Sequence, residues 1–126
     1  MASVLSILII EDDDLTALLY QKLLEDADYN VVTVPDTSQA EQTLAGIEIN
    51  LIILDFNLPD REGIAWLLDL RGQKEYARLP VILVSSIERN STQLRDDPFV
   101  WFMEKPRQPQ QIITAVRSTI ERFNRY

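Results

Sequence analysis

The sequence predicts an α/β fold in which helices cover both faces of a parallel β-sheet. Short runs rich in Val, Ile and Leu alternate with longer amphipathic segments along the 126 residues. This alternation is typical of repeated strand-helix units. The runs are apolar at successive positions, as expected for strands buried on both faces. Because the length suits one ordinary domain, we expect a three-layer sandwich forming a single domain over residues 1–126.

Five strands and five helices are expected in strict alternation. The apolar runs place the strands at residues 7–10, 31–34, 51–54, 81–84 and 99–103. Ser38 followed by Glu41 is a capping-box pattern that predicts the start of the second helix. The fourth helix is expected to be short or irregular, because residues 85–98 offer only Ile87 and Leu94 for burial.

Apolar residues at helical spacing mark the other helices. They are Leu15, Leu18, Leu19, Leu23 and Leu24 in the first helix, Ala40 and Leu44 in the second, Ile64, Leu67 and Leu70 in the third, and Ile112, Ile113, Val116, Ile120 and Phe123 in the last.

Composition excludes several classes of function. The chain has no cysteine and no histidine, which rules out thiolate or imidazole metal sites and catalysis by Ser-His or Cys-His pairs. Its net charge is −8, which disfavours binding to nucleic acid or to anionic membranes. The N-terminus lacks a basic start and no run is long enough to span a membrane, so we expect a cytoplasmic location.

Polar residues follow four of the predicted strands. Glu11 and Asp12 follow the first strand, Asp55 the third, Ser85 the fourth and Lys105 the fifth. Ligands of such sheets bind beyond the carboxyl ends of the strands. Carboxylates gathered there repel one another, so they should raise a pKa or bind a cation. Oxygen ligands favour Mg²⁺, with Ca²⁺ as the alternative.

Ordinary structural interpretations compete at several positions. We interpret Asp13 and Asp14 as an acidic first helical turn, which the helix dipole favours. Ser85 could be a simple hydroxyl at a strand end, and Phe102 could fill the core. We expect Trp101 to be partly exposed.

Four motifs resemble the receiver domain of bacterial two-component response regulators, of the chemotaxis-regulator-like, flavodoxin-like type. They are Ile-Leu-Ile-Ile-Glu-Asp-Asp at 7–13, Leu-Asp-Phe-Asn-Leu-Pro-Asp-Arg-Glu-Gly at 54–63, Pro-Val-Ile-Leu-Val-Ser-Ser at 80–86 and Glu-Lys-Pro at 104–106. The resemblance implies the strand order 2-1-3-4-5.

This resemblance implies a phosphoacceptor and a metal site. Asp55 would accept a phosphoryl group from the phosphohistidine of a histidine kinase or a histidine phosphotransfer protein. Asp12, Asp55 and the backbone carbonyl of Asn57 would bind Mg²⁺, and Glu11 would act through a metal-bound water. The domain would not be a turnover enzyme, beyond slow loss of its own phosphoryl group.

The resemblance also implies a switch. Lys105 would pair with the phosphoryl oxygens, Ser85 would donate a hydrogen bond to one of them, and Phe102 would fill the space that Ser85 leaves. The Lys105-Pro106 bond would be cis. The face of the fourth helix, fifth strand and fifth helix would then change its binding to a downstream protein, and a phosphorylation-dependent homodimer is a further option. Residues 90–99 and Arg107 depart from the family pattern, which leaves the output surface open.

Two alternative functions are weighed against a phosphorylatable receiver. A degenerate receiver would bind proteins constitutively. The chain disfavours this alternative because it retains every residue of the expected phosphoacceptor site, namely Glu11, Asp12, Asp55, Ser85 and Lys105. A Mg²⁺-dependent phosphatase with an aspartyl nucleophile would need a second carboxylate at the position of Asn57, which cannot transfer a proton in that role. Three glycines, Gly46, Gly63 and Gly72, cannot form a nucleotide-binding loop.

Overall fold

A five-stranded parallel sheet forms the centre of the molecule, with the order β2-β1-β3-β4-β5. The computed structural model describes residues 4–85, 94, 96–106 and 108–123. The strands are β1 (Ser6–Ile10), β2 (Asn30–Val34), β3 (Leu51–Asp55), β4 (Val81–Ser85) and β5 (Val100–Glu104). The predicted fold class and strand order are therefore confirmed, and each predicted strand shifts by at most one residue at either end.

Four α-helices and one turn of 3-10 helix occur in the described ranges. The α-helices are α1 (Asp14–Asp26), α2 (Thr37–Gly46), α3 (Gly63–Arg71) and α4 (Gln111–Phe123), and the 3-10 turn is Lys74–Tyr76. Helix α4 is the last of the five predicted helices. The predicted fourth helix, with Ile87, lies outside the described residues, as does Arg107.

Alternate strand residues supply two cores, one on each face of the sheet. Leu8 and Ile10 pack with α2 and α3 on one face, where the indole of Trp66 is almost fully buried. Ile7 and Ile9 pack with α1 and α4 on the other face. This is the predicted three-layer sandwich, and the alternation follows from the two-residue period of a strand.

The leucines at helical spacing mark α1 correctly, but several of them lie outside the core. Leu15, Leu18 and Leu19 are exposed, with Leu15 77% accessible. The buried residues of α1 are Ala17, Tyr20 and Leu24. Leucines occupy several sides of this helix, so their spacing alone cannot identify the buried side.

The start of α2 also differs from the predicted capping box. Asp36 is the N-cap, and its side chain accepts a hydrogen bond from the Gln39 N–H at 2.9 Å. Ser38 lies in the first turn, two residues later than a cap would. Aspartate is as good an N-cap as serine, and the earlier residue begins the helix.

A partly buried ion pair fixes the chain before β5. Arg71 Nε donates to Asp97 Oδ2 at 2.7 Å, and the same guanidinium donates to the carbonyls of Tyr76 and Phe99. Leu94 is buried in the core, as predicted. Within the described ranges, no helix combines the length and apolar character that crossing a membrane requires.

Candidate functional site

The carboxyl ends of the central strands bring the predicted polar residues to one edge of the sheet. Glu11 directly follows β1, Asp55 ends β3 and Ser85 ends β4. The register pairs Asp55 with Val84, and Ser85 with Glu104, the residue before Lys105. The fold therefore brings the predicted polar residues together at this edge.

Three carboxylates form a compact cluster there. Glu11, Asp12 and Asp55 each offer an oxygen, and these oxygens all lie within 4.8 Å of one another. Glu11 and Asp55 are each only 6% exposed, whereas Asp12 is exposed to solvent. The cluster thus has a buried floor and an open side through which a cation or a phosphodonor can enter.

Burial of Glu11 has a strong electrostatic consequence. Desolvation, followed by a hydrogen bond to Asp55 and the negative charge of Asp55, raises the pKa of Glu11 from 4.5 to about 8. Glu11 therefore holds a proton at neutral pH when no cation is bound. Because a divalent cation favours the ionised form of its ligands, cation binding should displace this proton.

The donor set suits a hard divalent cation. Every side-chain ligand that the cluster offers is a carboxylate oxygen, which Mg²⁺ and Ca²⁺ prefer. Two of the three carboxylates, Glu11 and Asp55, are buried next to each other, and burial together with the neighbouring Asp55 raises the pKa of Glu11. These residues therefore fit a Mg²⁺ site.

The loop between β3 and α3 carries Asn57, the remaining predicted metal ligand. The Asn57 N–H donates to Asp55 Oδ1 at 3.3 Å, and Asn57 forms an isolated antiparallel bridge with Glu62. The Gly63 N–H donates to the carbonyl of Phe56 at 2.9 Å and closes the loop at its base. Asn57 is exposed beside Asp55.

Gly63 lies against the backbone of Asp55. A Cβ at this position would be 2.6 Å from the Asp55 carbonyl oxygen and 3.2 Å from that of Phe56. Both atoms belong to the backbone, so no side chain can move aside. Sequence analysis considered Gly63 only as the end of the motif at 54–63 and as a glycine outside any nucleotide-binding loop, and its position at the start of the helix after Asp55 is the signal it missed.

Lys105 reaches this edge through its backbone. Its N–H donates to the Ser85 carbonyl at 2.6 Å, which continues the pairing of β4 and β5. In the described part of the chain the ion pairs join Arg61 to Asp69 and Arg71 to Asp97, so the exposed Lys105 ammonium is not paired with the carboxylates. Its charge acts at longer range and is the smallest of the influences that lower the pKa of Glu11.

The peptide bond after Lys105 corrects one prediction. No cis peptide bond occurs among the described residues, so the Lys105-Pro106 bond is trans and not cis. The trans form is the commoner one for bonds that precede proline.

The aromatic residues of β5 are partly accessible. Phe102 is 43% exposed, so it does not fill the core as the simpler interpretation held. Trp101 is half-buried, as expected, and the Arg122 guanidinium lies 5.9 Å from the centre of a Trp101 ring. Ser85 is half-buried.

The acidic residues after Asp12 have a structural role. Asp13 is the N-cap of α1, where its carboxylate accepts hydrogen bonds from the side chain and backbone N–H of Thr16. These hydrogen bonds lower the pKa of Asp13. Asp14 lies in the first turn of α1. The interpretation of both residues as an acidic helix start is confirmed.

Comparison with known proteins decides the family. Residues 7–117 match the family model of the response regulator receiver domain. The chain belongs to the response regulator receiver family. Receiver domains partner with histidine kinases or histidine phosphotransfer proteins in two-component systems.

Individual relatives agree with this assignment. The receiver domain is 29% identical to Protein PetR of Rhodobacter capsulatus over 124 residues, covering 92% of this chain and 48% of that protein. It is also 29% identical to the response regulator protein GraR of Staphylococcus epidermidis, covering 94% and 52%. The chain thus spans about half the length of these curated relatives.

Solved structures show the same fold. A sensor protein from Polaromonas sp. JS666 superposes with a TM-score of 0.79 at 28% identity, covering 94% of this chain and 98% of that one. The receiver domain of a signal transduction histidine kinase from Syntrophus aciditrophicus superposes with a TM-score of 0.79 at 26% identity, covering 92% and 89%. Receiver domains with this architecture thus occur in different classes of signalling protein.

Proposed function

We propose that this receiver domain is a phosphoacceptor and that Asp55 is the residue that becomes phosphorylated. The observation that carries the proposal is the carboxylate cluster, in which Asp55 lies buried beside Glu11 and Asp12 at the end of β3. Asp55 is the member of the cluster that ends the central strand β3. An Asp55 carboxylate oxygen would attack the phosphorus of a donor phosphohistidine, and the bond from phosphorus to the imidazole nitrogen would break with its electron pair on the imidazole.

The carboxylates of Glu11, Asp12 and Asp55 would hold Mg²⁺ together with the backbone carbonyl of Asn57. When bound, Mg²⁺ offsets the negative charge of the acceptor and of the phosphoryl oxygens. Ionisation of Glu11 accompanies this binding. Glu11 would contribute through a metal-bound water.

Lys105 and Ser85 would bind the phosphoryl group. The Lys105 ammonium is exposed and, among the described residues, has no carboxylate partner, so it can turn toward a new anion at this edge. The half-buried Ser85 ends the neighbouring strand and would donate a hydrogen bond to a phosphoryl oxygen. The exposed Phe102 would then move inward beside Ser85 and change the surface around β5.

Phosphorylation would alter binding to partner proteins. The donor would be a histidine kinase or a histidine phosphotransfer protein, and a downstream protein or a second phosphorylated copy would bind the surface formed by β5, α4 and the segment before β5. We propose a cytoplasmic protein that forms a single domain over residues 1–126 and acts without direct contact to nucleic acid or membrane. It would not turn over a separate substrate.

Intact mass measurement tests the acceptor function. The chain is incubated with Mg²⁺ and acetyl phosphate, and Asp55→Asn serves as the control because amide and carboxylate have nearly the same shape. We expect one added phosphoryl group in the wild type and none in Asp55→Asn. No adduct, together with no response to the phosphoryl mimic beryllofluoride, would contradict the proposal and favour constitutive protein binding.

A further inference from the structure

Asp60, at the tip of the loop between β3 and α3, joins the phosphoacceptor site to the start of α2. Its carboxylate accepts hydrogen bonds from the Thr37 N–H at 3.1 and 3.2 Å and from the Ser38 N–H at 3.2 Å. The Thr37 hydroxyl donates to Asp60 Oδ2 at 2.6 Å. Two elements that are 22 or more residues apart in sequence are thus tied by one side chain.

This contact is additional to the helix's own cap. Asp36 already accepts from the Gln39 N–H, as an N-cap residue should. Asp60 serves the two N–H groups at the first helical positions, which an N-cap side chain leaves unsatisfied. Burial alone would raise the pKa of Asp60, yet the hydrogen bonds from Thr37 and Ser38 hold it below its ordinary value.

Helix α2 is fixed against the rest of the protein and can therefore restrain the loop. Ala40 is fully buried and Leu44 is 8% exposed, which fixes the helix on the sheet. Trp66 Nε1 of α3 donates to Glu41 Oε1 at 3.1 Å, and the Tyr76 hydroxyl donates to the Leu44 carbonyl at 3.2 Å. The start, middle and end of α2 are therefore each bonded to the segment that follows β3.

Other contacts restrain the loop at its base and on the side of α3. The Gly63 N–H donates to the Phe56 carbonyl at the base, and Asn57 and Glu62 form one bridge above them. Leu58 packs against the core, and Arg61 pairs with Asp69 of α3 at 2.7 Å. Without Asp60, the loop would lose its hydrogen bonds to α2, and the Asn57 carbonyl would be held by the bridge, by the packing of Leu58 and by the hydrogen bond from the Asn57 N–H to Asp55.

We propose that Asp60 is a positioning residue for the cation site: by capping α2 it fixes the loop whose Asn57 carbonyl would bind Mg²⁺. This inference rests on the proposed function, because it assumes that the cluster binds Mg²⁺. Asp60 touches no ligand itself. It lowers the number of conformations available to the loop before the cation arrives, which favours binding.

A Mg²⁺ titration of the full chain, followed by two-dimensional ¹H-¹⁵N NMR, tests this proposal. The spectra report the Kd and also show whether each variant is folded. In Asp60→Ala we expect the Kd for Mg²⁺ to rise by about tenfold, at the low end of losses on removing outer-sphere support. In Asp60→Asn, which keeps an acceptor oxygen without the charge, we expect the rise to stay within about threefold.

Asp36→Ala is the matched control, since it also removes one carboxylate cap and one negative charge from the start of α2. It does not touch the loop, so its Kd should stay within about twofold of the wild type. Equal effects of Asp36→Ala and Asp60→Ala would overturn the proposal, because Asp60 would then act as a cap or as a charge only.

Three further outcomes are decisive. If Asp60→Ala does not fold, Thr37→Val removes the hydroxyl that donates to Asp60, and an unchanged Kd in that variant would overturn the proposal. If the wild type and all the variants bind Mg²⁺ with the same affinity, the role of Asp60 is overturned while the proposed metal site stands. A wild-type chain that does not bind Mg²⁺ overturns the proposed metal site and, with it, this inference.

Discussion

Replacement of Gly63 by alanine should strain the backbone of Asp55, the proposed phosphoacceptor. The new Cβ would lie 2.6 Å from the Asp55 carbonyl oxygen and 3.3 Å from the Phe56 Cα. Carbon and oxygen atoms pack best about 1 Å further apart than the shorter of these distances, so α3 or the end of β3 must move. The movement would displace Asp55, which we propose accepts the phosphoryl group.

The expected cost is about 1 to 2 kcal/mol. Overpacking of this kind costs about 1–3 kcal/mol, and the better helix propensity of alanine offsets up to about 1 kcal/mol. Gly46→Ala is the matched control, because nothing lies within 4 Å of a Cβ there and its φ is not left-handed. That variant should gain about 0.4–1 kcal/mol.

Urea unfolding followed by circular dichroism measures both variants. The free energies of unfolding should differ by about 2 kcal/mol, with Gly63→Ala the less stable. Gly63→Ala should also accept a phosphoryl group from acetyl phosphate more slowly than Gly46→Ala. Equal stabilities and equal rates would refute the conclusion that Gly63 packs against the acceptor.

Three further expectations concern the site and its surroundings. In the metal-free chain the pKa of Glu11 is about 8, so the folded state keeps a proton that the unfolded state loses near pH 4.5. The free energy of unfolding should therefore fall by up to a few kcal/mol as the pH rises from about 4.5 to about 8. Urea titrations in EDTA should show this slope, and the same slope in Glu11→Gln would contradict the explanation. Asp97→Ala should lower the free energy of unfolding by about 2 kcal/mol in the same assay. This is less than the loss on breaking a fully buried ion pair, because Arg71 keeps two carbonyl acceptors. A loss under about 0.5 kcal/mol would show that the ion pair does not fix the segment before β5. Lys105→Ala should change the free energy of unfolding by less than about 0.5 kcal/mol, since the side chain is exposed. The same variant should lose the change in tryptophan fluorescence that beryllofluoride causes in the wild type. Loss of cooperative unfolding in this variant would count against a role confined to the switch.

The sheet could be predicted from the sequence because its central strands are buried on both faces. Such strands need apolar residues at every position, and the runs at 7–10 and 51–54 show this directly. The polar residue that ends each run, such as Glu11 or Asp55, then lies at the carboxyl edge by topology alone. The location of the carboxylate cluster therefore followed from sequence, although its distances did not.

Helix faces and loop contacts could not be predicted in the same way. Leu15 and Leu18 have the same helical spacing as core residues but are exposed, because leucines occupy several sides of α1. The hydrogen bond between Thr37 and Asp60 joins segments that are distant in sequence. An aspartate in a turn does not indicate which distant residue it will bind. The raised pKa of Glu11 also depends on tertiary burial, which the sequence indicated only as one of two outcomes.

The most direct test of the proposed chemistry is to identify the phosphorylated residue. The chain is treated with acetyl phosphate in Mg²⁺ or in EDTA, and borohydride then reduces any acyl phosphate to an alcohol that peptide mass spectrometry can locate. We predict modification at Asp55 alone, present with Mg²⁺ and absent with EDTA. Modification at Asp12 or Glu11, or equal modification of Asp55 in EDTA, would contradict a metal-assisted acceptor at the end of β3.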